Sequence, residues 1–189
     1  QGFGDAAFTI RAGVQRSVFE DTVRNNGSEF IRSDRDSLRY DGRFRGSYNV
    51  SDEFSLFAEL GANAWEFDQP VDRNGIARGS DGGHVALGAY FEPSKKLRGE
   101  IAIGAREQHY ADDRFDAVTY ATLDGWVRWR PSSNFETNLW TETEFEEETV
   151  FDRAGTISRS LNLHSEYYLT DRWRAATRRQ YRHDDNVDN

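Results

Sequence analysis

Two kinds of connection alternate along this chain, and their asymmetry restricts what it can fold into. Short polar turns at Ser51–Glu53, Pro93–Lys96, Pro131–Asn134 and Thr170–Arg172 recur about 40 residues apart, with longer acidic stretches between them. Turns and loops are separated by runs of about 9 to 14 residues in which every second side chain is apolar. Successive side chains of a strand point to opposite faces, so each run reads as a strand with one greasy and one wet face. Tight connections at one end and long ones at the other predict an antiparallel up-and-down transmembrane β-barrel.

The parity is explicit. In Ala6–Val14 the even positions Ala6, Phe8, Ile10, Ala12 and Val14 oppose Thr9 and Arg11. Leu38, Tyr40, Phe44, Tyr48 and Val50 then oppose Arg39, Asp41, Arg43, Arg45 and Asn49, and Phe54, Leu56, Ala58, Leu60, Ala62 and Ala64 oppose Glu59 and Asn63. Odd positions take over in Val85–Phe91, Leu97–Ala105, Ala121–Trp129 and Ile157–Leu169. Phe135–Phe145, interrupted by threonines, and Trp173–Arg182, with Arg179 on its apolar parity, complete about nine strands. Equal parity on both sides of a short turn predicts three- or five-residue hairpin loops in the absence of a bulge. The connections Glu20–Asp36, Asp68–Gly83, Ala111–Val118 and Glu146–Thr156 are the expected extracellular loops. Single-chain bacterial barrels normally have an even strand number, so residues 1–189 are expected to be one β-barrel domain forming an interior stretch of a larger barrel.

Composition narrows the function classes. Against 24 basic residues stand 33 acidic ones, a net charge of -9, which disfavours nucleic acid as a partner. With no Cys, disulfides, thiolate metal sites and cysteine nucleophiles are excluded. Mean hydropathy is -0.84, and no apolar stretch reaches the roughly 18 residues of a membrane helix. A strand-built membrane protein escapes that criterion because only alternate residues meet lipid.

Several segments carry a resemblance. FEPSKKLRGEIAIG, YADDRFDAV, WRPSSNFETNLW, the FEEETV of Phe145–Val150 with Glu147, Glu148 and Thr149, and YYLTDRWRAATRRQYRHDDN with Asp184 and Asp185 are similar to the beta-barrel porin family of the second type. The similarity spans roughly Phe44 to Asn189. It implies an outer-membrane channel of a Gram-negative bacterium, with a role in exopolysaccharide or capsule export. Lipid, lipopolysaccharide, a polar solute or polysaccharide and periplasmic export components are the expected partners. The family supplies no catalytic residue to transfer.

The polar parity supplies the candidate lumen. Arg43, Glu59, Arg98, Arg128 and Arg174 fall on it, and one intervening strand carries Glu136, Glu142, Glu144 and Glu146. Walls of opposite charge create a transverse field in a pore, whereas simple cross-strand pairing makes the same wall soluble and rigid. Trp126 and Trp140 share the parity, as a sugar-stacking surface or as a cross-strand aromatic pair. Asp112, Asp113 and Asp116, like Asp184, Asp185 and Asp188, lack EF-hand spacing and read as solvated loop charge, so neither metal nor cofactor is expected. HExxH, GxSxG and Walker motifs are absent, and no enzymatic activity is expected. Two competing readings are a soluble β-sandwich or lipocalin-like binding module, with the apolar parity in a dry core, and an enzyme with a site at the loop rim.

Overall fold

The structure, a computed structural model, describes residues 5–23, 29–30, 35–71, 75–146, 153–170 and 172–188. Glu147, Glu148 and Thr149 lie outside the described residues, as do the side chains of Glu146 and Asp188. The strands are β1 (Ala6–Ser17), β2 (Thr22–Val23), β3 (Glu29–Phe30), β4 (Ser37–Ser51), β5 (Phe54–Phe67), β6 (Ser80–Ser94), β7 (Leu97–Tyr110), β8 (Val118–Ser132), β9 (Phe135–Glu146), β10 (Arg153–Tyr168) and β11 (Arg174–Asp188). All but β2 and β3 join one nine-stranded antiparallel sheet in chain order, from β1 at one edge to β11 at the other. Among the described residues the two edges are not paired with each other, so the sheet is not closed. The β2–β3 pair is a small separate hairpin inside the long connection between β1 and β4, which the alternation did not signal.

Register fixes the faces. In adjacent strands Ala58 pairs with Leu87, Leu87 with Ile103, and Ile103 with Leu123, so the apolar parity runs continuously across the sheet. That face is the exposed one: Leu87 keeps 66% and Ile103 64% of its surface, and Leu56, Leu60, Ile101 and Leu123 are also exposed, while Leu163 is half-buried. Glu59, one residue from Leu60 and on the other face, keeps 6%. Polar in and apolar out is the reverse of a soluble core, and an aliphatic belt of this kind suits lipid. From Phe54 to Ala64 the belt runs roughly ten steps of about 3.3 Å, which at a tilt near 40° spans about 25 Å, the height of a bilayer's apolar band. At the short-turn end an aromatic row follows the register. Phe54 pairs with Phe91, Leu97 with Trp129 and Phe135 with Tyr167, and Trp129 and Phe135 meet edge to face at 6.0 Å.

Three short turns preserve parity by a route other than the predicted odd loops. The pairs Ser51–Phe54, Ser94–Leu97 and Ser132–Phe135 each enclose two residues, and a register shift beside each supplies the missing odd step. A bulge displaces the count by one residue, which is equivalent to an odd loop as far as parity is concerned. Only the connection from β10 to β11 is five residues long without a shift. A hydroxyl opens every turn: Ser51, Ser94 and Thr170 accept the backbone N–H two residues on, and Ser132 donates to the Asn134 side chain at 2.6 Å. The three bonds to backbone N–H groups satisfy turn backbone, while the Ser132–Asn134 bond joins two side chains across its turn.

Ile157 departs from its expected outward position. The paired register of β8 and β9 ends at Gly125–Thr141, beyond which Thr143 and Asp124 side chains bridge the strands to backbone groups. Where the strands part, Ile157 is buried against Val118 and Tyr120, with Phe145 and Val187 packed around them. Strand β11 also continues through the acidic stretch that was expected to lie beyond it, to Asp188.

At the long-loop end two connections are tied together, which corrects the solvated reading of Asp112. This carboxylate is buried and accepts hydrogen bonds from the Ala77 N–H at 2.9 Å and from the Arg114 N–H and guanidinium, while the same guanidinium donates to the Gly75 carbonyl at 2.6 Å. Gly75 adopts φ of 76°, which favours glycine. The Arg114 guanidinium, helped by the two backbone donors, holds the Asp112 carboxyl below the usual carboxylate range against the opposing effect of burial. A lowered folded pKa stabilises above the unfolded value of about 3.9 and loses that contribution as pH falls towards the folded one. Hydrogen exchange at the Ala77 amide is therefore expected to stay slow relative to its intrinsic rate from neutral pH down to about 4 and to lose protection below. In D112N the protection should be weak throughout; equal protection in both proteins would show that the carboxylate does not hold the loop.

Candidate functional site

The wet face is hollow. Arg45, at the middle of β4, donates to Glu59 on β5 at 2.8 Å and to Glu100 on β7 at 2.9 Å, reaching across β5 and β6. Flat strands spaced about 4.8 Å apart would put β4 and β7 about 14 Å from each other, so this contact requires the sheet to curl towards its polar side. A cavity of about 530 Å³ lies within the curl, lined from β4 to β9, and a second of about 320 Å³ brings Thr9 and Arg11 of β1 to the same hollow as Trp126 of β8.

At its centre Glu59 is surrounded by two guanidinium groups and an imidazole. Besides Arg45, the Arg43 guanidinium lies 3.4 Å away and His84 Nε2 3.1 Å away. A buried carboxylate is costly unless paired and hydrogen-bonded, and here both its oxygens are engaged. Arg45 also lies 4.0 Å over the ring of Phe57, a cation–π contact. These side chains lie flat along the wall because glycines sit beneath them. His84 pairs with Gly61 and Phe57 with Gly88, and a methyl group at either glycine would overlap the ring across from it.

The large cavity is lined by Arg43, Arg45 and Arg106 of β4 and β7 and by Asp124, Glu142 and Glu144 of β8 and β9, and Trp126 and Trp140 pair in register between β8 and β9. The positions singled out from sequence therefore divide. Arg43, Glu59, Glu142 and Glu144 share this cavity. Arg98 and Arg128 line a separate hollow nearer the short turns. Glu136 leaves the acidic group: it receives a hydrogen bond from Arg128 at 2.7 Å and another from Asn138. Arg174, near the edge, pairs with Glu166 at 3.2 Å. Sequence reasoning placed Arg45 and Arg106 on the lumen parity without joining them to partners, and it did not single out Glu100. Their parity was visible, but a contact across two intervening strands depends on curvature.

Sequence comparison decides the family, since the profile of Putative beta-barrel porin 2 matches residues 1–189. The chain belongs to that family. Among curated proteins and among solved structures, no significant match was found. Membership in this porin family accounts for the inverted faces: a membrane-embedded barrel presents its aliphatic parity to lipid and its charged parity to water. None of the described residues forms a helix long and apolar enough to cross a membrane, so the porin's apolar surface is carried by strands.

The charged wall of the porin is chemically suited to hold water and polar groups. Carboxylate–imidazole contact occurs at Glu59–His84, the pairing a hydrolase could use, but Glu59 is already held by two arginines midway along its strand. Among the described residues, threonines and no serine line the cavity around it. Among the described residues no group of three or more His, Cys, Asp or Glu is placed to hold a metal ion.

Proposed function

We propose that this porin serves in the outer membrane of a Gram-negative bacterium as a water-filled passage for polar solutes, polysaccharide in export being the finer assignment. The observation that carries this reading is the inversion of faces: aliphatic side chains such as Leu87 stand exposed while Glu59 and its arginine partners occupy a hollow. Lipid and lipopolysaccharide would cover the aliphatic belt, and periplasmic export components would approach the short turns. The passage performs no chemical step, and nucleic acid is not a partner. Arginines on β4 and β7, two of them shared with Glu59, line one cavity with acids on β8 and β9, and charges of both signs along such a wall orient water and dipolar solutes such as sugars.

Planar-bilayer recording of the purified porin tests this. We expect open conductance, and an E142Q/E144Q variant should shift the reversal potential under a salt gradient towards anion preference, with little change in stability. Glu136 is left intact because it neutralises Arg128. Unchanged reversal potentials would remove these two carboxylates from the permeation path, and absence of conductance would overturn the channel itself. Flux of a neutral polysaccharide into porin-containing vesicles, compared with that of a small sugar, tests the finer assignment.

A further inference from the structure

The hollow at the short-turn end carries a charge arrangement that strand pairing alone does not favour. Arg98 of β7 and Arg128 of β8 are direct cross-strand partners on the polar face. One step nearer the turn, Lys96 accepts the backbone N–H of Arg130 at its carbonyl, so a second cationic pair stands beside the first. Like charges placed opposite each other destabilise a sheet, and here two such pairs are stacked. Together with Lys95 and Glu92 they enclose a space of about 200 Å³. Two carboxylates answer five cations. Glu136 is engaged by Arg128, and Glu92 accepts the Tyr90 hydroxyl. The next acid along β7, Glu100, is turned away to Arg45. Arg98 lies 6.0 Å over Trp126, which also lines the large cavity, so the cationic hollow adjoins the wall of the proposed passage.

We propose that this hollow binds an anionic group, a carboxylate, phosphate or sulfate, of a solute passing at the short-turn mouth, through Lys95, Lys96, Arg98 and Arg130. An anion between the paired cations would relieve their repulsion, and guanidinium forks suit the two oxygens of such a group. Its position on the polar face, away from the aliphatic belt, favours a dissolved ligand over a lipid headgroup. The proposal deepens the channel reading and rests on it for the direction of traffic, but binding is measurable without conduction.

Calorimetric titration of the full chain in neutral detergent, with oligogalacturonate as the acidic probe and malto-oligosaccharide as the neutral one, tests it. The acidic probe is expected to bind, with affinity falling as salt rises. The K96Q/R98Q/R130Q variant should bind at least tenfold more weakly, and the neutral probe should not distinguish the two proteins. To separate lost binding from misassembly of the triple variant, K96Q alone, on the turn, is measured as well and should weaken binding severalfold. Equal affinity of the variants and the parent for the acidic probe would overturn the site. Binding of phosphatidylglycerol in mixed micelles in place of the acidic sugar would overturn the dissolved ligand and assign the cations to headgroups. A protein that binds the acidic probe yet never conducts would keep the site and lose the channel; one that conducts without binding would do the reverse.

Discussion

Arginine in place of Leu87 is expected to cost about 2–4 kcal/mol of stability in a bilayer, the penalty of placing that charge near the midplane of a barrel's lipid face. Leu87 is midway along β6, beside Ala58 and Ile103, and two-thirds exposed. Exposure of that degree on a soluble protein would make the change nearly neutral, within about 0.5 kcal/mol. The two environments thus predict different numbers for one substitution. Urea unfolding in phospholipid vesicles, compared for L87R and I103R against L87A, measures the difference. A cost below 1 kcal/mol for both arginine variants would show that water, not lipid, covers this face.

Neutralising Glu59 is the second large effect. In E59Q the side-chain shape is preserved, but Arg43, Arg45 and His84 lose their common anion. Breaking a buried ion pair typically costs about 3–5 kcal/mol. Here the arginine side chains keep 41% and 29% exposure, so solvent compensates part of the loss and about 2–3 kcal/mol is expected. Adding R43Q should recover part of that penalty, since it removes the guanidinium left beside the lost anion, whereas Arg45 keeps Glu100. If E59Q unfolds at the parental urea concentration, the cluster contributes nothing net to the wall and its arginines are solvated independently.

Much of this arrangement was legible in the alternation. Strands β5 to β8 keep an unbroken apolar parity because one face of each meets a uniform environment, and four hydroxyl-bearing turns mark where the chain reverses. Parity does not separate an odd loop from a two-residue turn with a bulge, because both advance the register by the same amount. Ile157 followed its strand's parity in sequence, yet the parting of β8 from β9 enclosed it, an event no local pattern encodes.

The candidate site was legible in outline and not in its partners. The face carrying Arg43, Glu59, Glu142 and Glu144 could be read; the contact of Arg45 with Glu100 arises only once the sheet curls. Glu136 was grouped with the other acids because they alternate along one strand, but it lies beside a short turn, within reach of Arg128. Asp112 carried a local signal that composition obscured. An aspartate two residues before an arginine can accept that residue's N–H in an Asx turn while its oxygens also meet the guanidinium, which separates it from neighbouring Asp113 and Asp116.

The glycines beneath His84 and Phe57 bear on how the bore of such a wall can change over evolutionary time. Each is a recess one methyl deep, and the ring opposite occupies it instead of projecting inward. Filling a recess would push the ring, and the charge leaning on it, towards the axis. A lineage of such proteins could therefore narrow or reshape its aperture by single glycine replacements, with strand number, register and the lipid-facing surface left as they are. Calibre in this architecture is adjustable from the floor of the wall as well as from its side chains.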